Sequence, residues 1–264
     1  MCHNNVMLIR AQIADETSAP SDRQALNIGP ELQRIYQDRF ATTRQYRDKI
    51  WEVLTADFFS YYISEEDIIL DLGSGYGEFI NHIRCRQKFA MDINPDAEKV
   101  LRPQIHFLHQ DCSAPWKVRD SCLDVVFSSN FFEHLPSKSA LSETLAQAWR
   151  CLRPGGKLIA MGPNIRFLPG RYWDFWDHQI PLTHLALLEV LRLRGFKPVK
   201  VFDRFLPYTL INTRPYPLLF LRIYLKLPFM FRFFGKQFLV IVQKLGQTRI
   251  PDSDRPVQAR PVTE

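Results

Sequence analysis

The chain has no C-x-x-C pair, and its five cysteines (Cys2, Cys85, Cys112, Cys122, Cys151) are an odd number scattered through 264 residues. That pattern excludes a disulfide scaffold and offers no thiolate set for structural zinc. No secretory leader pattern is read at the amino terminus, so the expected setting is a reducing cytoplasm. The apolar stretches are too interrupted by charge to span a bilayer. Acid is missing from one long segment: Arg204 to Arg249 holds eight basic residues and no acidic one. Residues 201–264 carry ten Lys/Arg against four Asp/Glu, while the other 200 residues balance at 24 of each, so the net charge of +6 belongs to one region. Such a region calls for an anionic neighbour.

What remains is ordinary bulk. Hydrophobic residues make up 46% and charged residues 23%, which fits one medium domain with appendages and a proper core. Glycine is sparse at 11 residues, yet three of them fall at 73, 75 and 77. They follow Ile68, Ile69, Leu70 and Leu72, the apolar run of a strand buried on both faces, and precede a helical pattern opening at Glu78. Strand, glycine turn and helix together bring bare backbone to a ligand at the carboxyl end of a parallel strand. A dinucleotide fingerprint needs its last glycine at position 78, where this chain has Glu78.

The run from Asp71 to Gly77, Asp-x-Gly-x-Gly-x-Gly, resembles the first motif of class I S-adenosylmethionine-dependent methyltransferases. The segments Ser-Ser-Asn-Phe-Phe-Glu-His-Leu (128–135) and Leu-Arg-Pro-Gly-Gly (152–156) resemble the same family, so the match runs from about 67 to 162. The resemblance implies an α/β fold: a Rossmann-like, seven-stranded, mostly parallel sheet with helices on both faces, an antiparallel last strand and an amino-terminal helical cap. It implies S-adenosylmethionine as cofactor, contacted by Asp71, Gly73, Gly75 and Gly77. Asp92 follows Gly77 by 15 residues and ends a second strand, Lys88–Asp92, where a carboxylate can accept both protons of a ribose diol. After a third strand, Ile105–His109, the family places an acid on the adenine amino group and a backbone N–H under the ring, which falls on Asp111 and Cys112. Asn130, beyond a fourth strand at Leu123–Ser129, would face the methionine part. Glu133 and His134 form a tempting acid–base pair, although the family's use of Glu-His-Leu across unrelated substrates favours a positioning role.

The expected boundaries are a flexible lead-in over 1–29, a methyltransferase domain over 30–250 and a disordered tail over 251–264. Within the domain, 30–60 form the helical cap, 67–162 the cofactor core, 163–195 an acceptor-side insertion and helix, and 207–235 a basic apolar hairpin. The insertion holds Tyr172, Trp173, Phe175 and Trp176, flat faces on which a sugar could stack, and Asp177-His178, which makes His178 the candidate general base. His184 is read as structural. Strands six and seven are expected at Lys197–Phe202 and Lys236–Lys244, with the hairpin between them broken at Pro228. Its Arg and Lys residues interleaved with Leu, Phe and Tyr over 214–236 describe an interfacial element on an anionic membrane. The alternatives are packing on the domain or at a dimer interface.

The functional reading is therefore methylation of a sugar hydroxyl on a small-molecule or lipid-linked glycan acceptor, at the inner membrane face. A quinone-pathway acceptor and a non-catalytic cofactor-binding partner are the rivals. Nucleic acid is disfavoured, because Asn130-Phe-Phe-Glu is not the Asn-Pro-Pro-Tyr type that resembles base-methylating enzymes. Oligomeric state is not read from the sequence.

Overall fold

The computed structural model describes residues 43–208 and 216–246. The lead-in over 1–29, the first part of the cap and the tail from 251 lie outside the described residues. Helix α1 (Arg44–Asp57) is followed by β1 (Ile68–Leu72), α2 (Glu78–His82), β2 (Gln87–Asp92), β3 (Ile105–His109) and β4 (Leu123–Ser129). Then come α3 (Lys138–Cys151), β5 (Leu152–Pro163), α4 (His184–Leu193), β6 (Phe196–Phe202), α5 (Leu218–Lys226), α6 (Phe231–Phe234) and β7 (Gln237–Lys244).

The seven strands form one sheet in the order β3-β2-β1-β4-β5-β7-β6. β1 pairs in parallel with β2 on one side and β4 on the other, so the strand order reverses there and the carboxyl ends open a crevice. β7 runs antiparallel to both β5 and β6 and fills the gap between them. This is the Rossmann-like arrangement expected above.

β1 shows why both faces must be covered. Leu70 and Leu72 enter the cluster shared with α3 and α4, while Ile69 enters the cluster shared with α1, α2 and α5. The second cluster is centred on aromatic rings. Phe59 is fully buried, with ring centroids 5.2 Å from Phe127, 5.9 Å from Phe79 and 6.2 Å from Trp51. Replacing Phe59 by alanine leaves a ring-sized void that these neighbours cannot fill. The expected cost is about 3–5 kcal/mol, read as a drop of roughly 10 °C in a thermal melt. A melt within a degree of wild type would show that the α1 layer adds nothing to the core.

Two prolines shape the connections locally. Residues 95–100 form a 3-10 turn and not an α-helix: Asn94 caps it by accepting from Asp96 N–H, Pro95 sits at its start, and the turn ends at Leu101 in extended backbone. The apolar stretch after Tyr216 stops as a helix at Lys226, and Pro228 opens a short 3-10 turn before α6. Residues 209–215, including Arg214, lie outside the described residues.

Candidate active site

The turn after β1 is held from below. Gly73 and Ser74 N–H both donate to Met91 O, at 2.9 and 3.2 Å, which pins the turn to the end of β2. Asp71 is buried beneath it, and its carboxyl is pushed well above the usual range by burial, then by the charges of Glu78 and Asp92; acceptance from the Ile80 amide works the other way. Its place is under the turn, where it orders the start of α2.

The three glycines differ in what surrounds them. A Cβ on Gly73 would fall 2.2 Å from Phe131 Cγ, because the Phe131 ring lies against the turn there, and one on Gly77 would fall 2.5 Å from Leu101 Cδ2. At Gly75, with φ +52°, a Cβ would meet nothing within 4 Å. Gly75 therefore presents bare backbone to open space.

Asp92 closes one side of that space. Its Oδ2 accepts from Gly75 N–H at 2.8 Å and its Oδ1 from Asn94 N–H at 2.8 Å, so the carboxylate faces the turn with lone pairs left for a diol. Burial raises its pKa, opposed by the amides of Asn94 and Gly75. The β3 end joins through Gln110 N–H to Asp92 O at 3.2 Å, which brings Asp111 alongside. Asp111 Oδ1 is held by the Ser113 amide and hydroxyl, both at 2.8 Å. The Cys112 side chain is buried, its thiol beside Thr144 and pushed up to about 12 by desolvation, so only its backbone is suited to a ligand. Asn130 sits exposed beyond β4 in the left-handed region, at φ +49°, with its N–H on Met161 O at 2.8 Å. Ser128 is used internally, its hydroxyl donating to Leu72 O at 3.1 Å and tying β4 to β1.

Helix α1 reaches the same turn. Arg47 pairs with Glu78 at 2.8 Å and the Arg44 guanidinium lies 5.1 Å from the Tyr76 ring centroid, so both arginines brace the turn.

The acceptor side is where the sequence reading changes most. The Asp177 carboxylate reaches His134: its Oδ2 lies 3.3 Å from His134 Nδ1, and its backbone carbonyl is 3.0 Å from the same nitrogen. His178 converges with Glu133 and His134, whose ligand atoms and its own all lie within 4.8 Å of one another. The reason is backbone pairing: Gln179 and Ile180 N–H both donate to Glu133 O, at 2.7 and 3.0 Å, zipping the insertion onto the loop after β4. Glu133 is completely buried, and desolvation raises its pKa to about 7 against the opposing charge of His134. Its Oε2 lies 3.4 Å from where a Gly162 Cβ would be, so the cluster sits at the carboxyl ends of β4 and β5, next to Asn130. Tyr172 is fully buried and bonds Ile180 O, which makes it core and removes it as a stacking surface. Trp173 and Trp176 remain exposed. His184 is buried against Asn164 Nδ2 at 2.9 Å, a structural contact.

Residues 70–160 match the family described as Methyltransferase domain. Residues 70–160 are thus a domain of the class I S-adenosylmethionine-dependent methyltransferase kind. Its cofactor is S-adenosylmethionine, and the open face at Gly75 with the Asp92 carboxylate beside it fits that group.

The chain is 28% identical over 151 residues to an uncharacterised methyltransferase-like protein of Schizosaccharomyces pombe, covering 54% of this chain and 51% of the relative. It is also 28% identical over 130 residues to a Mycolicibacterium smegmatis protein named "Probable S-adenosylmethionine-dependent methyltransferase", covering 47% of this chain and 49% of that one. The chain thus spans about half the length of the curated relatives it matches. Among solved structures, a chain of the complex between the Haloferax volcanii Trm112 methyltransferase activator and a methyltransferase superposes with TM-score 0.61 at 16% identity, covering 83% of this chain and 100% of that chain. An Archaeoglobus fulgidus S-adenosylmethionine-dependent methyltransferase gives 0.57 at 20% identity, over 78% of this chain and 99% of that one. These likenesses support the fold of the methyltransferase domain.

Proposed function

We propose that this methyltransferase acts on oxygen, methylating a sugar hydroxyl of a small-molecule or lipid-linked glycan precursor at an anionic membrane surface. The bound cofactor supplies an electrophilic methyl group on a positively charged sulfur. The chain's own task is to hold the acceptor and take its proton, because a neutral hydroxyl is a poor nucleophile. The observation that carries this reading is the buried meeting of His178 with Glu133 and His134 at the ends of β4 and β5. His178 is the proposed base. Its ring is set by Tyr172 at 4.7 Å, His134 at 5.0 Å and Phe175 at 5.2 Å, measured between centroids. Trp173 and Trp176 offer exposed faces on which a sugar ring stacks.

The membrane part of the reading is supported by a patch of another kind. Leu219, Phe220, Phe229 and Phe233 are each more than 60% exposed along α5 and α6, while Tyr224 and Leu225 anchor α5 in the core. A cleft of about 570 Å³ between α1 and α5 is lined by Tyr61, Tyr62, Lys200, Arg222 and Lys226 among others. Large apolar groups beside cations suit an interface of acyl chains and anionic headgroups.

Two experiments divide the proposal. Labelled cofactor offered to nucleotide sugars, membrane lipid extract, quinone precursors and RNA is expected to mark the glycan fraction, and label confined to quinone or RNA overturns the sugar assignment. In liposome flotation, the triple substitution Lys226→Glu, Arg232→Glu, Lys236→Glu is expected to release the protein from anionic vesicles at unchanged cofactor affinity. Arg222 is left in place because it pairs with Asp57 at 2.7 Å. Flotation that survives the triple change removes the membrane from the reading.

A further inference from the structure

The meeting of Glu133, His134 and His178 has a ligand chemistry of its own. Two imidazoles and one carboxylate come from two segments 44 residues apart and present one nitrogen or oxygen each within 4.8 Å of the others. Donor atoms about 2.0–2.1 Å from a common divalent ion lie roughly 3.3 Å from one another in a tetrahedral site. Small rotations of these side chains therefore suffice to close on an ion. His134 is already oriented for it. Its Nδ1 faces the Asp177 carbonyl and carboxylate, at 3.0 and 3.3 Å, which directs Nε2 toward Glu133, 3.9 Å away. That separation is too long for a hydrogen bond and suits two ligands of one ion. A carboxylate holding the far nitrogen of a ligating histidine is the arrangement that fixes its tautomer and raises its basicity.

The backbone supplies the rigidity that a preformed site needs. Glu133 O takes both the Gln179 and the Ile180 amides, so the segment carrying His178 cannot drift from the segment carrying Glu133 and His134. Glu133 is wholly enclosed, where an ionised carboxylate is costly unless a cation meets it.

We propose that Glu133, His134 and His178 bind one divalent metal ion of the zinc, cobalt, iron(II) or manganese class, leaving open positions for an oxygen of the acceptor. The donor set, two imidazoles and a carboxylate, selects borderline first-row ions over magnesium and calcium, which prefer all-oxygen shells. An acceptor hydroxyl held by such an ion would give up its proton to solvent water near neutral pH, with His178 serving as a ligand in place of the base role proposed above. This refinement rests on the hydroxyl-methylation reading for its purpose, while the binding itself stands alone.

The test uses the full chain, stripped with a chelator, desalted and titrated with Co²⁺ while the visible spectrum is followed, then with Zn²⁺ in competition. The expected result is one equivalent of Co²⁺ taken up with a visible ligand-field band, which Zn²⁺ then displaces. Glu133→Gln, His134→Gln and His178→Gln are each expected to weaken binding about tenfold or more, with S-adenosylmethionine affinity by calorimetry unchanged. A folded wild-type protein that takes up no stoichiometric Co²⁺ overturns the proposal whatever the variants do, and so does binding that survives all three substitutions. Loss of cofactor binding in the wild type would instead strike the methyltransferase reading, and the metal titration would still be read on its own terms.

Discussion

Leucine at position 75 is expected to abolish measurable S-adenosylmethionine binding while leaving the fold standing. The two halves of that outcome have separate causes. Gly75 has φ +52°, so any L-residue there pays the left-handed cost of about 1–2 kcal/mol. No protein atom lies within 4 Å of the new Cβ, and the domain therefore tolerates the change. The open space is the proposed nucleoside bed, and a leucine side chain would stand in it. Loss of affinity by about 100-fold or more corresponds to about 2.7 kcal/mol, a modest demand for excluding part of a ligand. The control is Gly77→Leu, whose Cβ would fall 2.5 Å from Leu101 Cδ2 and which should fail in a thermal melt before binding is asked. If the Gly75 variant bound the cofactor as wild type does, the open face of the turn would not be the site.

Truncating Asp92 to alanine is the second large effect. It removes a carboxylate that orders the turn through the Gly75 and Asn94 amides and that is proposed to receive the ribose diol. Hydrogen bonds to a charged group are worth about 1.5–3 kcal/mol each, so cofactor affinity should fall by about 100- to 1,000-fold. Asp92→Asn keeps one acceptor oxygen and should lie between. A pH series tests the charge itself. Burial raises the Asp92 pKa, so its ionised form is depleted sooner than that of an exposed aspartate as pH falls. Cofactor affinity should weaken on mild acidification in the wild type, and that slope should flatten in Asp92→Asn. Equal slopes in the two proteins would place the diol elsewhere.

The parts of this molecule that sequence reading reaches are those whose signals are local. β1, β3 and β4 fall where alternating or continuous apolar runs placed them, and β2, β6 and β7 differ by a residue at one end. β1, β4 and β7 are short apolar runs of strand length that the sheet buries, whereas β3 and β6 alternate and lie at its two edges, only partly buried. The placement of Gly75 and Asp92 at one tip follows from the same logic, because parallel strands put their carboxyl ends on one edge. What was not legible depended on contacts between distant segments. Asp177 and His178 are neighbours in sequence, and the loop after Asp174 brings both against His134, a partner the sequence does not announce. His178 finds Glu133 only because two amides of the insertion dock on one carbonyl 46 residues earlier. Tyr172 looks like its exposed neighbours Trp173 and Trp176, and only the packed structure turns it inward. Phe131 lying on Gly73 had no local signal at all.

β7 carries a consequence for how the domain comes into being. Of the seven strands of this sheet it is the last to leave the ribosome, yet it belongs between β5 and β6, where it offers hydrogen bonds to both. Until it arrives, β5 presents a bare edge of Lys157 to Pro163 and β6 has no neighbour to hold it. A nascent chain can assemble β1 to β5 early, but the sheet is completed only by an insertion from the far end. The vulnerable interval is therefore late in synthesis, when an unsatisfied strand border is available to another copy of the chain.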